Sequence, residues 1–170
     1  MANANQLDLL KQGANVWNLW REENTDTIPD LSHADLRGAK LQSANLNKAN
    51  LKEAKLQFAN LDSANLEGAN MEKAKLQETN LQNACLRNAN LKGAGMLESN
   101  IQYANLENAD LQGAQFNEDV LFNQTNLKHA NLSSATGLGS AQVKLAIVNK
   151  ETQLPEYLGE EMDDDFLLQF

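Results

Sequence analysis

The stretch ANLDSANLEGANMEKAKL, residues 59–76, decides the fold. Leu61, Leu66, Met71 and Leu76 recur every five residues, each with Ala two places before it. In an α-helix, residues five apart differ by about 140° around the axis, so this series would wind over every face. In a flat strand they would fall on opposite sides. A large residue and the Ala two before it do share one strand face. Each pentapeptide therefore reads as a short extended piece followed by a two-residue turn. A chain that turns the same way every five residues coils into a solenoid, with Leu inside and Ala where neighbouring backbone leaves little room. Adjacent coils then pair edge to edge, about 4.8 Å apart.

Worked outward, the pattern governs most of the chain. Large apolar centres run without a slip through eighteen positions, from Leu31, Leu36 and Leu41 to Leu106, Leu111 and Phe116. The residue two before the centre is Ala in fifteen of these; the exceptions are Pro29, Thr79 and Ser99. The residue just before the centre is usually Asn or Asp, where stacked amides or Asx turns can satisfy backbone groups. Gly38, Gly68, Gly93 and Gly113 all fall at the second turn position, where glycine accepts positive φ. After Phe116 the phase moves by one, to Phe122, Leu127 and Leu132, so one residue is inserted within Asn117–Asp119 and a local bulge is expected. A weak ATGLG follows the twenty-first repeat.

The flanks differ from the repeat. Leu7, Leu10, Ala14, Trp17 and Arg21 share one helical face, which predicts an amphipathic helix over about Gln6–Glu23. Solenoid ends expose core and sheet edges, so this helix is expected to cap the first coil through Leu10, Trp17 and Trp20. At the other end, Ser140 is expected to cap a short helix AQVKLAIV, with ETQLPEYL completing the cover. The expected organisation is an N-terminal cap and linker over 1–28, the coil over 29–135, a C-terminal cap over 136–158 and an acidic tail over 159–170.

Charge sits at the ends. The net charge is −9, yet residues 30–150 hold twelve acidic and twelve basic groups. Residues 151–170 hold seven acidic groups and no basic one. Without a basic patch, direct nucleic-acid binding is not expected. No run of apolar residues is long enough for a transmembrane helix, and no secretory signal is visible at the N-terminus, so no membrane contact is expected. Cys85 is the only cysteine, which suits a reducing, cytoplasmic setting.

Repeats such as ANLDS, ANLEG and ANMEK resemble the A(D/N)LXX signature of the pentapeptide repeat family, over about residues 29–135. That resemblance implies an all-β solenoid, a right-handed quadrilateral β-helix with four repeats per coil and about five coils, here with an N-terminal α-helical cap and a short C-terminal helical cap. The leader VWNLWREENTDTIPDLSHADL, residues 16–36, also resembles that of many cyanobacterial members. Most members have no known biochemical activity. Some, the quinolone-resistance and gyrase-inhibitor proteins, present an acidic β-helix to DNA topoisomerase.

Chemistry is sparse. His33 and His129 fall at second turn positions on distant coils, and no Cys/His cluster has metal-ligand spacing. Cys85 has no base placed beside it. The interior offers only apolar and small side chains, so no catalytic, cofactor or metal site is expected, and the chain is not expected to be an enzyme. What remains is contact. Phe58, Leu97 and Tyr103 should point outward around the weakly charged face with centres 41, 61, 81 and 101. The tail ends in Phe166, Leu167, Leu168 and Phe170, which could bind a protein partner or a second copy, giving a homodimer through the tail or an end cap. The expected function is thus a non-enzymatic interaction or scaffold module. The alternative is a DNA mimic acting on DNA gyrase or topoisomerase, which the neutral coil disfavours because mimicry needs a single-signed surface.

Overall fold

Each centre but Phe116 begins a β-turn. The carbonyl of Leu31 accepts from the N–H of Ala34 at 3.1 Å, and the same bond recurs at Leu61 and Ala64 and down the repeat. In these turns the second residue has positive φ, between 55° and 68°, which with this bond defines a type II turn. Gly38, Gly68, Gly93 and Gly113 meet that demand as expected, but sixteen non-glycine residues, among them His33, Phe58 and Tyr103, adopt it too. Most repeats therefore hold an L residue in the left-handed region, a local strain that the surrounding ladder overrides.

The computed structural model describes residues 1–161. Between turns, only the small residue, the one after it and the centre are extended. Pairing is correspondingly brief: the coils are joined by isolated parallel bridges, Asp30 to Asn50, Asn50 to Asn70, Asn70 to Asn90, with no extended strands among the described residues. The all-β expectation is thus met by register and not by strands. Every bridge before the insertion spans twenty residues, so four pentapeptides complete one coil. In each bridge the centre's N–H donates to the coil ahead and the preceding residue's N–H to the coil behind, as Leu61 to Asn80 at 2.7 Å and Asn60 to Ala39 at 2.9 Å.

The core is the column of centres. Leu46, Leu61, Met71, Leu81 and Leu106 have no exposed surface, and the small residues between them are as deeply buried. Burying each Leu contributes about 1.5–3 kcal/mol. Where the small residue is polar its hydroxyl is used: Thr79 donates to the Leu56 carbonyl at 2.8 Å, Ser99 to Met96 at 2.7 Å and Thr125 to Ile101 at 2.7 Å.

The inserted residue behaves as expected. From Asn100–Leu121 to Asn126–Ile147 the bridge spacing is twenty-one, and Asn131–Gln153 spans twenty-two. Asn117 fills the bulge, accepting from the Glu98 N–H at 2.8 Å and donating to Asp119 at 3.0 Å. The ladder runs past the last repeat, through bridges of Ile147 and Gln153.

The ends depart from expectation in detail. The single helix over Gln6–Glu23 is two: α1, Ala4–Lys11, and α2, Ala14–Glu23. Gly13 separates them with φ 112°, a value L residues rarely adopt, and the change of direction lets both Leu10 and Trp17 reach the core. Trp20 is half-buried, its ring 5.0 Å from that of Trp17. Near the C-terminus, α3 spans Ser140–Leu145 and α4 spans Glu156–Glu161. Ser140 is the first helical residue and not the cap. Gly139 holds the N-cap position, and its N–H is met by the Gln142 side chain at 2.8 Å. The helix stops short of Val148 because Ile147 turns into its bridge with Asn126.

Candidate functional site

The repeat points its variable residues outward, and the register decides which of them meet. Asn at the bridge position closes an Asx turn, as when Asn60 Oδ1 accepts from the Asp62 N–H at 3.0 Å. The same amides stack, Asn80 donating to Asn60 at 3.3 Å and Asn90 to Asn70 at 3.1 Å. The Asn series thus serves the backbone, its amides taken up by Asx turns and by one another.

Charges also pair along the stack. Lys52 meets Glu72 at 3.0 Å, Lys92 meets Asp110 at 3.0 Å and Arg87 meets Glu107 at 3.5 Å. Asp35 takes a two-point contact from Arg37, at 2.6 and 2.8 Å, which holds its carboxyl down to about 2. Lys52 lowers Glu72 in the same sense. Lys55, Lys73 and Lys75 gather with His33 and Glu53 around one shallow depression. The coil surface is therefore of mixed sign.

Phe58, Tyr103 and Leu97 point outward, 61%, 56% and 36% exposed. They are not brought together. Phe58 lies on the second coil, Leu97 and Tyr103 on the fourth, the latter two at different corners. Phe166, Leu167, Leu168 and Phe170 lie outside the described residues. Cys85 is half-buried within its bridge to Asn65 and Asn105. His129 pairs with Asn149 at 3.1 Å, far along the stack from His33, which sits 3.5 Å from Glu53. No group of three or more His, Cys, Asp or Glu among the described residues could hold a metal.

The most informative geometry is at the start of the stack, where the first coil has no coil behind it. Its four bridge residues, Asp30, Asp35, Lys40 and Asn45, each present an outward N–H and C=O there. On two faces the N-terminal segment supplies what a preceding coil would. The Asp30 N–H donates to Gln6 Oε1 at 2.8 Å, and its C=O accepts from the Asn3 N–H at 2.7 Å. The Asn45 N–H donates to Asn18 Oδ1 at 2.8 Å, and its C=O accepts from Trp17 Nε1 at 2.7 Å. Arg21, buried and without a carboxylate partner among the described residues, extends this by donating to the carbonyls of Thr27 at 2.6 Å and Asn47 at 3.3 Å.

On the other two faces nothing among the described residues plays that part. The backbone N–H and C=O of Asp35 and Lys40 take part in no hydrogen bond there, whereas their equivalents one coil on, Lys55 and Asn60, use both. A cavity of about 420 Å³ opens at this place, between Leu10, Lys11, Gln12 and Gly13 on one side and Asp35, Arg37, Ala39 and Lys40 on the other. Ala39 is half-buried, while the other repeat alanines are fully buried. The repeat pattern could not show this edge, because the partners on the closed faces are the side chains of Gln6, Trp17 and Asn18 and a main-chain N–H at Asn3.

Comparison with known proteins places the chain. The pentapeptide repeats family model matches in eight copies over residues 30–68, 54–93 and 98–118, and the chain belongs to that family. Pentapeptide repeat proteins form right-handed quadrilateral β-helices, and the twenty-residue register here is that fold. No curated protein matches. Among solved structures the chain is similar to a pentapeptide repeat protein of the Arabidopsis thaliana thylakoid lumen, at 29% identity over 69% of this chain and 83% of that one, with a TM-score of 0.63. It also matches two cyanobacterial proteins. One, from Cyanothece, is 32% identical over 68% of this chain and 67% of that one, TM-score 0.40. The other is HetL of Nostoc, involved in heterocyst differentiation regulation, 28% identical over 75% and 63%, TM-score 0.33. No helix among the described residues is long and apolar enough to cross a membrane.

Proposed function

We propose that this protein is a non-enzymatic interaction module, a rigid coil whose contacts are made at its ends and its outward corners. Pentapeptide repeat proteins are generally structural or interaction modules. The observation that carries the proposal is the division of labour along the repeat. The centres are buried against one another, so variation is confined to outward residues and to the ends. In this account α1 and α2 cap the first coil through Leu10, Trp17 and Trp20, while α3 and α4 cover the last. The paired backbone groups at Asp30 and Asn45 support the first, and the Tyr157 hydroxyl, hydrogen-bonded to Leu138 N–H and C=O, supports the second. The single half-buried thiol is in keeping with work in the cytoplasm.

The alternative, mimicry of DNA toward gyrase or topoisomerase, is disfavoured by Lys52–Glu72, Lys92–Asp110 and Arg87–Glu107, which alternate sign up the stack. Two experiments test the proposal. In a gyrase supercoiling assay, micromolar protein is expected to leave the rate unchanged; inhibition would favour mimicry. Cross-linking in the native cell followed by purification is expected to recover specific protein adducts at the ends or at Phe58, Leu97 and Tyr103. Recovery of none would overturn the interaction role.

A further inference from the structure

We propose that the open edge of the first coil, at Asp35 and Lys40, is a docking groove for the acidic C-terminal segment of a second copy of this chain, giving head-to-tail association. This rests on the interaction-module account and names the partner for one of its ends.

Three observations converge on the groove. It has backbone without a partner among the described residues on both walls of one corner: the N–H and C=O of Asp35 and of Lys40, each where a preceding coil would pair. An extended segment laid along it would supply those hydrogen bonds by strand addition. It has a small apolar floor, since Ala39 is the repeat alanine left partly exposed, over the buried Leu10, Leu36 and Leu41. It has positive charge. Lys11 and Lys40 are exposed and have no ion-pair partner among the described residues, while Arg37 and Asp35 neutralise one another, leaving the groove at +2.

The sequence holds one segment of matching chemistry. Residues 162–170, which follow α4, read MDDDFLLQF, three carboxylates followed by apolar residues, with no basic group. Its aspartates suit Lys11 and Lys40, its Phe and Leu side chains suit the floor, and it contains no proline to forbid strand pairing. Reach assigns it to a second copy. The groove is at the first coil and the segment leaves from the far end, about five coils or ~25 Å away at the strand spacing. Residues 162–170 extend at most about 30 Å, so a chain reaching its own groove would have almost nothing left to lie in it. The contact is heterologous, since groove and tail are different surfaces, and it can therefore propagate beyond a dimer.

Sedimentation velocity on the full chain tests this. The expected result is concentration-dependent association that weakens by about tenfold or more between low salt and 0.5 M salt. Deleting residues 162–170 should abolish it, and so should the double variant Lys11→Glu/Lys40→Glu, whose side chains are exposed and whose melting is expected to match wild type. The decisive sample is the mixture: the truncated chain keeps the groove, the charge-reversed chain keeps the tail, and together they should form a one-to-one complex that grows no further. Failure of the mixture to pair, or association of the truncated chain like wild type, would overturn the groove. A strictly monomeric full chain would do the same; if it still yields protein adducts on cross-linking in the cell, the interaction role survives without the self-docking.

Discussion

Trp17 Nε1 donates to the carbonyl of Asn45 at 2.7 Å, taking the place that a backbone N–H of a preceding coil would hold. One residue on, Asn18 accepts from the N–H of the same Asn45. Two adjacent side chains of α2 thus reproduce both halves of a bridge. This explains how a ladder of isolated bridges can begin without leaving its first rung unpaired on that face, a requirement for any buried backbone group.

Trp17→Phe removes the donor and, phenyl being smaller than indole, part of the buried ring as well. We expect a loss of about 1–3 kcal/mol, the cost of one buried unpaired carbonyl, measured by urea denaturation. Amide exchange should quicken first around Asn45 and Asn47. Trp17→Ala adds a cavity and should cost about 3–5 kcal/mol.

Gly137 and Gly38 both have positive φ, 74° and 65°, but only one is spatially required. A Cβ on Gly137 would lie 2.1 Å from the Phe116 carbonyl oxygen, a backbone atom that cannot swing aside. Gly137→Ala should destabilise by about 3 kcal/mol. At Gly38 a Cβ meets nothing within 4 Å, and sixteen other repeats already tolerate side chains at that turn position. Gly38→Ala should cost no more than about 1 kcal/mol. Thermal melts of the two variants side by side check the contrast.

Asp35 should titrate near 2 by carbon-detected NMR, held there chiefly by its hydrogen bond from Arg37. The folded value lies below the ordinary 3.8, so this contact favours the fold above about pH 4 and ceases to as pH falls through about 2. In Arg37→Gln the carboxyl should return toward the ordinary carboxylate range. An unchanged value would mean that the Arg37 contact is not what holds it down.

Leu81→Ala removes a fully buried centre and should cost about 2–5 kcal/mol, whereas Gln82→Ala, one residue along, should stay within about 0.5 kcal/mol. Calorimetry on the pair separates core from surface within a single repeat.

The core was legible in the sequence because period five is incompatible with helix and flat strand alike, and the small residue, Asx position and turn follow from it. The inserted residue at Asn117–Asp119 was legible for the same reason: it breaks an otherwise exact count. The N-terminal break was not. Leu7, Leu10, Ala14, Trp17 and Arg21 keep helical spacing across Gly13, and spacing alone does not register that the glycine takes φ 112°. Nor was the open edge legible. Asp35 and Lys40 look like any other bridge residues in sequence, and only the placement of Gln6, Trp17 and Asn18 distinguishes the two closed faces from the two open ones.

All of this depends on one claim, that the chain closes a coil every twenty residues, so that Lys52 lies beside Glu72. Adjacent rungs at about 4.8 Å fall within the Cα separation that a disulfide spans, about 4.4–6.8 Å. In a Cys85→Ser background, Lys52→Cys/Glu72→Cys should oxidise to an intramolecular disulfide without loss of structure, seen as a 2 Da decrease by mass spectrometry. Lys52→Cys/Glu67→Cys and Lys52→Cys/Gln77→Cys, which test coils of three and of five repeats, should stay reduced under the same conditions. Closure of either of those pairs in place of the first would contradict the four-repeat coil.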